Sequence, residues 1–203
     1  NVSRVTDKLI EFSRCLVGPV RGALAHVNIV VSMLFAGISG STNADTAGIG
    51  SILIPAMIKE GYPKPISVAV TAASSVMGVI IPPSLLMVVW SSITETSVAS
   101  LFLGGIIPGI LIGVSQMIVV AILARKHNYP RTAFPGFKKL FSASKHGLVA
   151  LGSPVLIIGG ILAGVFTATE AAVAGIFYCL IIAIVFYRQL TFKNFAKTCW
   201  DTA

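Results

Sequence analysis

The sequence predicts an all-α, multi-pass membrane protein, and three observations carry that prediction. Apolar residues make up 55% of the chain against 11% charged, and mean hydropathy is +0.91, too apolar for an ordinary soluble domain. All 15 Lys and Arg fall into four patches, Arg4 to Arg21, Lys59 to Lys64, Arg125 to Lys145 and Arg188 to Lys197. Two of the apolar stretches are broken, one at the polar, glycine-bearing Phe35-Ala-Gly-Ile-Ser-Gly-Ser-Thr-Asn-Ala-Asp45 and one at Gly78-Val-Ile-Ile-Pro-Pro-Ser84.

Cytoplasmic loops of membrane proteins collect Lys and Arg. With all four patches on that side, each apolar stretch between them must leave and return. Three excursions follow, and the parity closes without a leftover segment. The net charge of +8 is therefore a topology signal spread over four loops and does not point to nucleic acid. Residues 1–14 carry charges of both signs, so no cleavable signal peptide is expected there. The chain does not open on Met, and it reads as a fragment of something longer.

Residues 1–21 set Val5, Leu9, Ile10, Phe12, Leu16 and Val17 among Arg4, Lys8, Arg14 and Arg21, the pattern of an amphipathic arm helix lying in the membrane interface. The first excursion, 22–60, has its tip at 39–45. Its apolar arms, 22–38 and 46–58, hold only about four turns each, short of the ~30 Å hydrocarbon core. Two half-spans joined by a polar tip make a re-entrant helical hairpin. Non-helical backbone at membrane depth is tolerated only beside a water-filled cavity or packed protein, so the tip marks a binding site.

Residues 61–98 form a broken transmembrane helix. Adjacent Pro82 and Pro83 remove two backbone donors and clash with the preceding turn, which releases carbonyls around Gly78 to Ile81 as potential ligands. A plain structural kink is the alternative. Discontinuous helices paired near the midplane are a usual construction of secondary transporter sites. The chain turns at Ser91 to Ser100 and returns through a transmembrane helix at 99–125. Residues 126–147, with Pro130, Pro135 and Lys138-Lys139, form a cytoplasmic connector. The third excursion leaves through 148–164, turns near Gly164 to Glu170 and returns through Ala171 to Tyr187, before a second interfacial arm that runs to residue 203.

Gly37-Ile-Ser-Gly-Ser-Thr-Asn-Ala-Asp45, Gly50-Ser-Ile-Leu-Ile-Pro-Ala-Met-Ile-Lys-Glu-Gly-Tyr62, Ile80-Ile-Pro-Pro-Ser84, Leu101-Phe-Leu-Gly-Gly-Ile-Ile-Pro-Gly109 and Thr167-Ala-Thr-Glu-Ala-Ala172 closely resemble the large membrane subunit of tripartite ATP-independent periplasmic (TRAP) transporters. The resemblance covers nearly the whole chain. It implies an elevator-type carrier of two inverted repeats, of which 1–147 looks like the first and 148–203 like the opening of the second. It implies a bacterial inner-membrane location and coupling to sodium rather than any cofactor. A small four-helix membrane subunit and a periplasmic substrate-binding protein would be its partners, and an organic acid such as a C4-dicarboxylate or sialic acid its substrate.

By the same resemblance, the first cation site would use carbonyls and hydroxyls at Ala36, Ser39, Gly78, Ile81 and Pro83. Sodium is a hard cation suited to such oxygens. Ser41, Thr42, Asn43 and Asp45 are the substrate-binding candidates, facing a carboxylate with the amino end of the second hairpin arm. Helix capping is an open alternative for Ser41, and is the favoured role for Asp45 over cation partner or proton carrier. Glu170, after Thr167 and Thr169, suits the first turn of a helix, and Glu95 a solvated turn. His26 reads as a packed helix residue. Cys15, Cys179 and Cys199 show no metal or disulfide pattern.

No enzymatic activity is expected. The rival reading is an intramembrane serine protease of the rhomboid type through Gly37-Ile38-Ser39-Gly40, which needs a membrane-embedded histidine base that the later apolar segments do not supply. A passive channel is the other, since hairpins and broken helices also line pores.

Overall fold

The computed structural model describes residues 20–129 and 152–185, together with positions 10, 13, 14 and 17. Most of the expected arm at 1–21, most of the connector at 126–147 and the arm after 185 lie outside those residues. Every extended element among the described residues is a helix, in agreement with the predicted all-α class.

Helix α1 (Ala23–Ser39) starts on Gly22, whose φ of 73° is left-handed and whose carbonyl accepts from the Ala25 and His26 amides. A Cβ on Gly22 would lie 2.7 Å from that of Ala124, so glycine is needed here both for conformation and for close approach. At the other end Gly40, with φ 61°, donates its N–H to the Ala36 carbonyl at 3.1 Å, a glycine stop. Ser41 is extended, and its hydroxyl accepts from the Ala44 amide at 3.5 Å, which starts α2 (Thr42–Lys59). The expected tip at 39–45 thus shrinks to Gly40 and Ser41. Thr42 to Asp45 form the first turn of the second arm, because glycine ends one helix where serine can begin the next.

Gly61 (φ 90°) and Pro63 turn the chain into α3 (Lys64–Ser75), with Pro65 in its first turn, where a missing donor costs nothing. α3 packs against both arms of the hairpin. It tightens into a 3₁₀ segment at Val76–Val79 and breaks at 80–83, where the Pro82–Pro83 peptide is cis. Ser84 caps α4 (Leu85–Thr94): its hydroxyl accepts from the Met87 amide at 3.4 Å and donates to the Val79 carbonyl at 2.8 Å. The left-handed Glu95 (φ 56°), exposed as expected of a solvated turn, ends α4.

Helix α5 (Val98–Lys126) has 29 residues, about 44 Å at 1.5 Å per residue. It is long and apolar enough to cross a bilayer; the other apolar helices among the described residues are shorter. It packs along α1 and against α4. Helices α6 (Gly152–Leu162) and α7 (Ala168–Val185) follow. Between them Glu170 accepts from the Thr167 amide and hydroxyl, both at 2.9 Å, while the Thr167 hydroxyl accepts from the Glu170 amide at 3.3 Å. This reciprocal cap gives Glu170 its first-turn position a specific partner.

The interior is not purely apolar. Leu24, Ile29, Met57, Met77 and Val120 join the hairpin to α3 and α5. Beside them runs a fully buried polar seam. Asn28 donates to Thr71 at 2.7 Å, Ser32 and Ser74 share a hydrogen bond of 2.8 Å, and Ser74 donates to Asn28 at 3.4 Å.

Candidate functional site

The two chain breaks meet. The Leu85 amide at the start of α4 donates to the Gly40 carbonyl at the hairpin tip, at 3.3 Å. A Cβ on Gly40 would lie 2.8 Å from the Pro83 carbonyl oxygen, so the tip approaches the proline turn as only glycine can. On the 3₁₀ side, a Cβ on Gly78 would lie 2.6 Å from Asp45 Oδ2 and 3.1 Å from the Ser41 carbonyl oxygen. The tip is held from both sides of the broken helix.

Asp45 is fully buried. The Ser39 hydroxyl donates to its Oδ1, and its Oδ2 has no hydrogen-bond partner among the described residues. The Ser41 amide, at 3.3 Å, donates to the Ser39 hydroxyl, so tip backbone, hydroxyl and carboxylate form one chain. Asp45 therefore does not cap α2. That position belongs to Ser41, and Asp45, one turn on, points back under the tip.

The remaining predicted residues divide by exposure. Ala36 is buried, and its carbonyl already accepts from Gly40, keeping one lone pair free. Gly78 is buried, while Ile81 and Pro83 are half-buried. Among the described residues no side-chain or loop donor takes the carbonyls of Gly78, Ile81 or Pro83. The Val79 carbonyl, by contrast, is occupied by Ser84, and that of Ile80 faces Gly105. Ile81 directs its side chain at α5, where a Cβ on Gly109 would touch it at 2.5 Å. Ser41 and Thr42 are half-buried and Asn43 is exposed, so these three lie on the open side of the tip. Asp45, grouped with them from the sequence, sits on the closed side with Ser39 and Gly78.

Sequence reasoning missed the α5 glycines. Gly105, Gly109 and Gly113 line one face and admit Ile80 and Met87, Ile81, and Met33 in turn. Their spacing of four was the available signal, since small residues at that interval let membrane helices approach closely.

A broken helix clasping a polar hairpin tip, beside a helix long and apolar enough to cross a bilayer, defines an all-helical protein with a site built from discontinuous helices. The chain belongs to the DctM component family of tripartite ATP-independent periplasmic transporters, whose sequence profile it matches over residues 1–203. It is 39% identical over 199 residues to the sialic acid TRAP transporter permease SiaT of Haemophilus influenzae, covering 98% of this chain and 32% of that protein. It is 41% identical over 186 residues to the C4-dicarboxylate large permease DctM of Vibrio cholerae (92% and 41%), and 36% identical over 202 residues to the sialic acid large permease SiaM of the same species (100% and 47%). The chain thus spans less than half the length of these relatives.

Proposed function

We propose that this chain forms the first part of the transport unit of a sodium-coupled, inward-moving carrier for an organic carboxylate. The observation that carries the reading is the junction of Gly40 with Leu85 and of Asp45 with Gly78, which sets the hairpin tip, the Ser39 hydroxyl and the Asp45 carboxylate against the broken helix. The carbonyls of Ala36, Gly78, Ile81 and Pro83 and the oxygen of Ser39 suit a hard cation, and the partnerless Oδ2 of Asp45 supplies a negative charge beside them. Ser41, Thr42 and Asn43, on the open side at the amino end of α2, face the substrate carboxylate.

In this reading the hairpin is re-entrant, the protein is a multi-pass component of the bacterial inner membrane, and it moves as an elevator. It works with a small four-helix membrane subunit and a periplasmic substrate-binding protein that delivers the acid. Sialic acid and C4-dicarboxylates, named for the relatives, are the substrate classes to test first. No catalytic residue and no cofactor beyond the coupling ion is assigned. The rhomboid-type reading is not favoured, because the Ser39 hydroxyl donates to Asp45 and His26 lies about 20 Å away along the axis of α1.

The test is uptake of labelled acids into proteoliposomes holding the complete membrane subunits, with and without an inward sodium gradient and the binding protein. Accumulation that needs both is expected. Uptake indifferent to both would favour a passive pore and overturn the proposal.

A further inference from the structure

Helices α3 and α5 run antiparallel, and a partly open groove of about 260 Å³ lies between the first turns of α3 and the last turns of α5. Its walls are chiefly Ile66, Ala69 and Val70 on one side and Val119, Val120 and Leu123 on the other. The side-chain amide of Gln116 donates to the Ala73 carbonyl at 2.8 Å, and the Ser115 hydroxyl donates to the Ile112 carbonyl at 2.8 Å, so the polar groups of the lining are largely turned to backbone. Gln116 Oε1 is a buried polar atom there without a hydrogen-bond partner among the described residues. A water needs two to four polar partners, and a lining made chiefly of Ile, Ala, Val and Leu offers few. Its volume also falls below the ~300–1,000 Å³ typical of drug-sized ligands.

Charge marks one end of it. Lys64 opens α3 two residues before Ile66, and Arg125 and Lys126 close α5 just beyond Leu123. All three are exposed, and among the described residues none forms an ion pair. An apolar slot with a basic rim at the end of a membrane helix matches the two parts of one molecule, an acyl chain and an anionic headgroup. Basic pockets between transmembrane helices bind such headgroups.

We propose that the α3–α5 groove holds one acyl chain of an anionic phospholipid, with its headgroup phosphate at Lys64, Arg125 and Lys126. The site is separate from the hairpin tip and does not depend on sodium coupling. The bound lipid fills the cleft and ties the basic end of α5 to that of α3.

The test uses the complete membrane subunits, purified in mild detergent and offered equal amounts of phosphatidylglycerol and phosphatidylethanolamine with matched acyl chains, with retained lipid read by native mass spectrometry. Preferential retention of phosphatidylglycerol by at least about fivefold is expected, falling about fivefold for each charge removed in Lys64→Gln and Arg125→Gln. Ala69→Phe, which fills the slot, should lower retention of both lipids. The charge variants lie at exposed positions and keep the test decisive if the filled groove disturbs folding. Equal retention of the two lipids would overturn the proposal. So would a preference that survives both charge changes, or full retention in a well-folded Ala69→Phe protein, which would place the lipid elsewhere on the protein.

Discussion

A side chain at Gly78 would set its Cβ 2.6 Å from Oδ2 of Asp45, closer than real Cβ contacts come. The 3₁₀ turn before the proline break and the buried acid under the hairpin tip therefore fit only because position 78 has no side chain. Gly78→Ala must either push the carboxylate away or open the junction, since the next atoms, the carbonyl group of Ser41, are backbone at 3.0–3.1 Å. Overpacking of this kind costs about 1–3 kcal/mol. A protein that still assembles but loses most sodium-driven uptake in proteoliposomes is expected; wild-type uptake would show that the junction tolerates a side chain at position 78.

The Ser39 hydroxyl and the Asp45 carboxylate make separable predictions. Ser39→Ala leaves a buried carboxylate oxygen without its donor, and hydrogen bonds to charged groups are worth about 1.5–3 kcal/mol. The sodium concentration for half-maximal uptake should rise about tenfold or more. Asp45→Asn keeps an acceptor for Ser39 and nearly the same shape but removes the charge. If the acid only braced the tip, sodium dependence would be unchanged. The charge at the junction predicts instead that Asp45→Asn weakens sodium dependence at least as much as Ser39→Ala, measured by the same titration.

Neighbouring glycines on α5 give an internal control. At Gly104 an added Cβ meets nothing within 4 Å, while at Gly105 it runs into the Ile80 carbonyl oxygen and the Met87 side chain. Met87 can move, but the carbonyl belongs to the broken helix and cannot shift without moving the site. Gly105→Ala should lower both thermal stability and uptake, and Gly104→Ala should leave both within error. Equal effects of the two variants would place the broken helix away from this face of α5.

The two helical arms and both breaks were legible in the sequence because their signals are local: a Gly-Ser pair in an apolar run, two adjacent prolines, and basic residues at the ends. What could not be read is what the breaks touch. Asp45 looked like a cap because aspartate caps helices, yet Ser41 stands nearer the turn and takes the role, which frees the acid to fold back on Ser39. The carbonyls expected to be free between Gly78 and Ile81 proved unequal, since Ser84 consumes that of Val79. The seam of Asn28, Ser32, Thr71 and Ser74 was likewise silent, because each residue alone is unremarkable in a membrane helix. Only the packing of α3 against α1 turns their i, i+3 and i+4 spacings into facing rows.

That seam supports the last prediction. Asn28, Thr71 and Ser74 are fully buried, and Asn28 bonds both of the others, so removing it leaves two hydroxyls to find new partners. The Thr71 hydroxyl already donates to the Ser67 carbonyl at 2.9 Å and loses only an incoming donor, while Ser74 can donate to the Thr71 carbonyl at 3.0 Å. This fallback limits the loss. Interhelical hydrogen bonds in membranes average about 0.6 kcal/mol in double-mutant cycles, with a maximum near 1.7. A cycle of Asn28→Ala with Thr71→Ala, read by thermal or denaturant unfolding of the purified permease, should therefore give a coupling within that range and near its lower part. A coupling of zero would mean that the intrahelical bonds alone satisfy α3. A value well above the range would instead show that the seam acts as a network, in which Asn28 holds the hairpin and the broken helix in register.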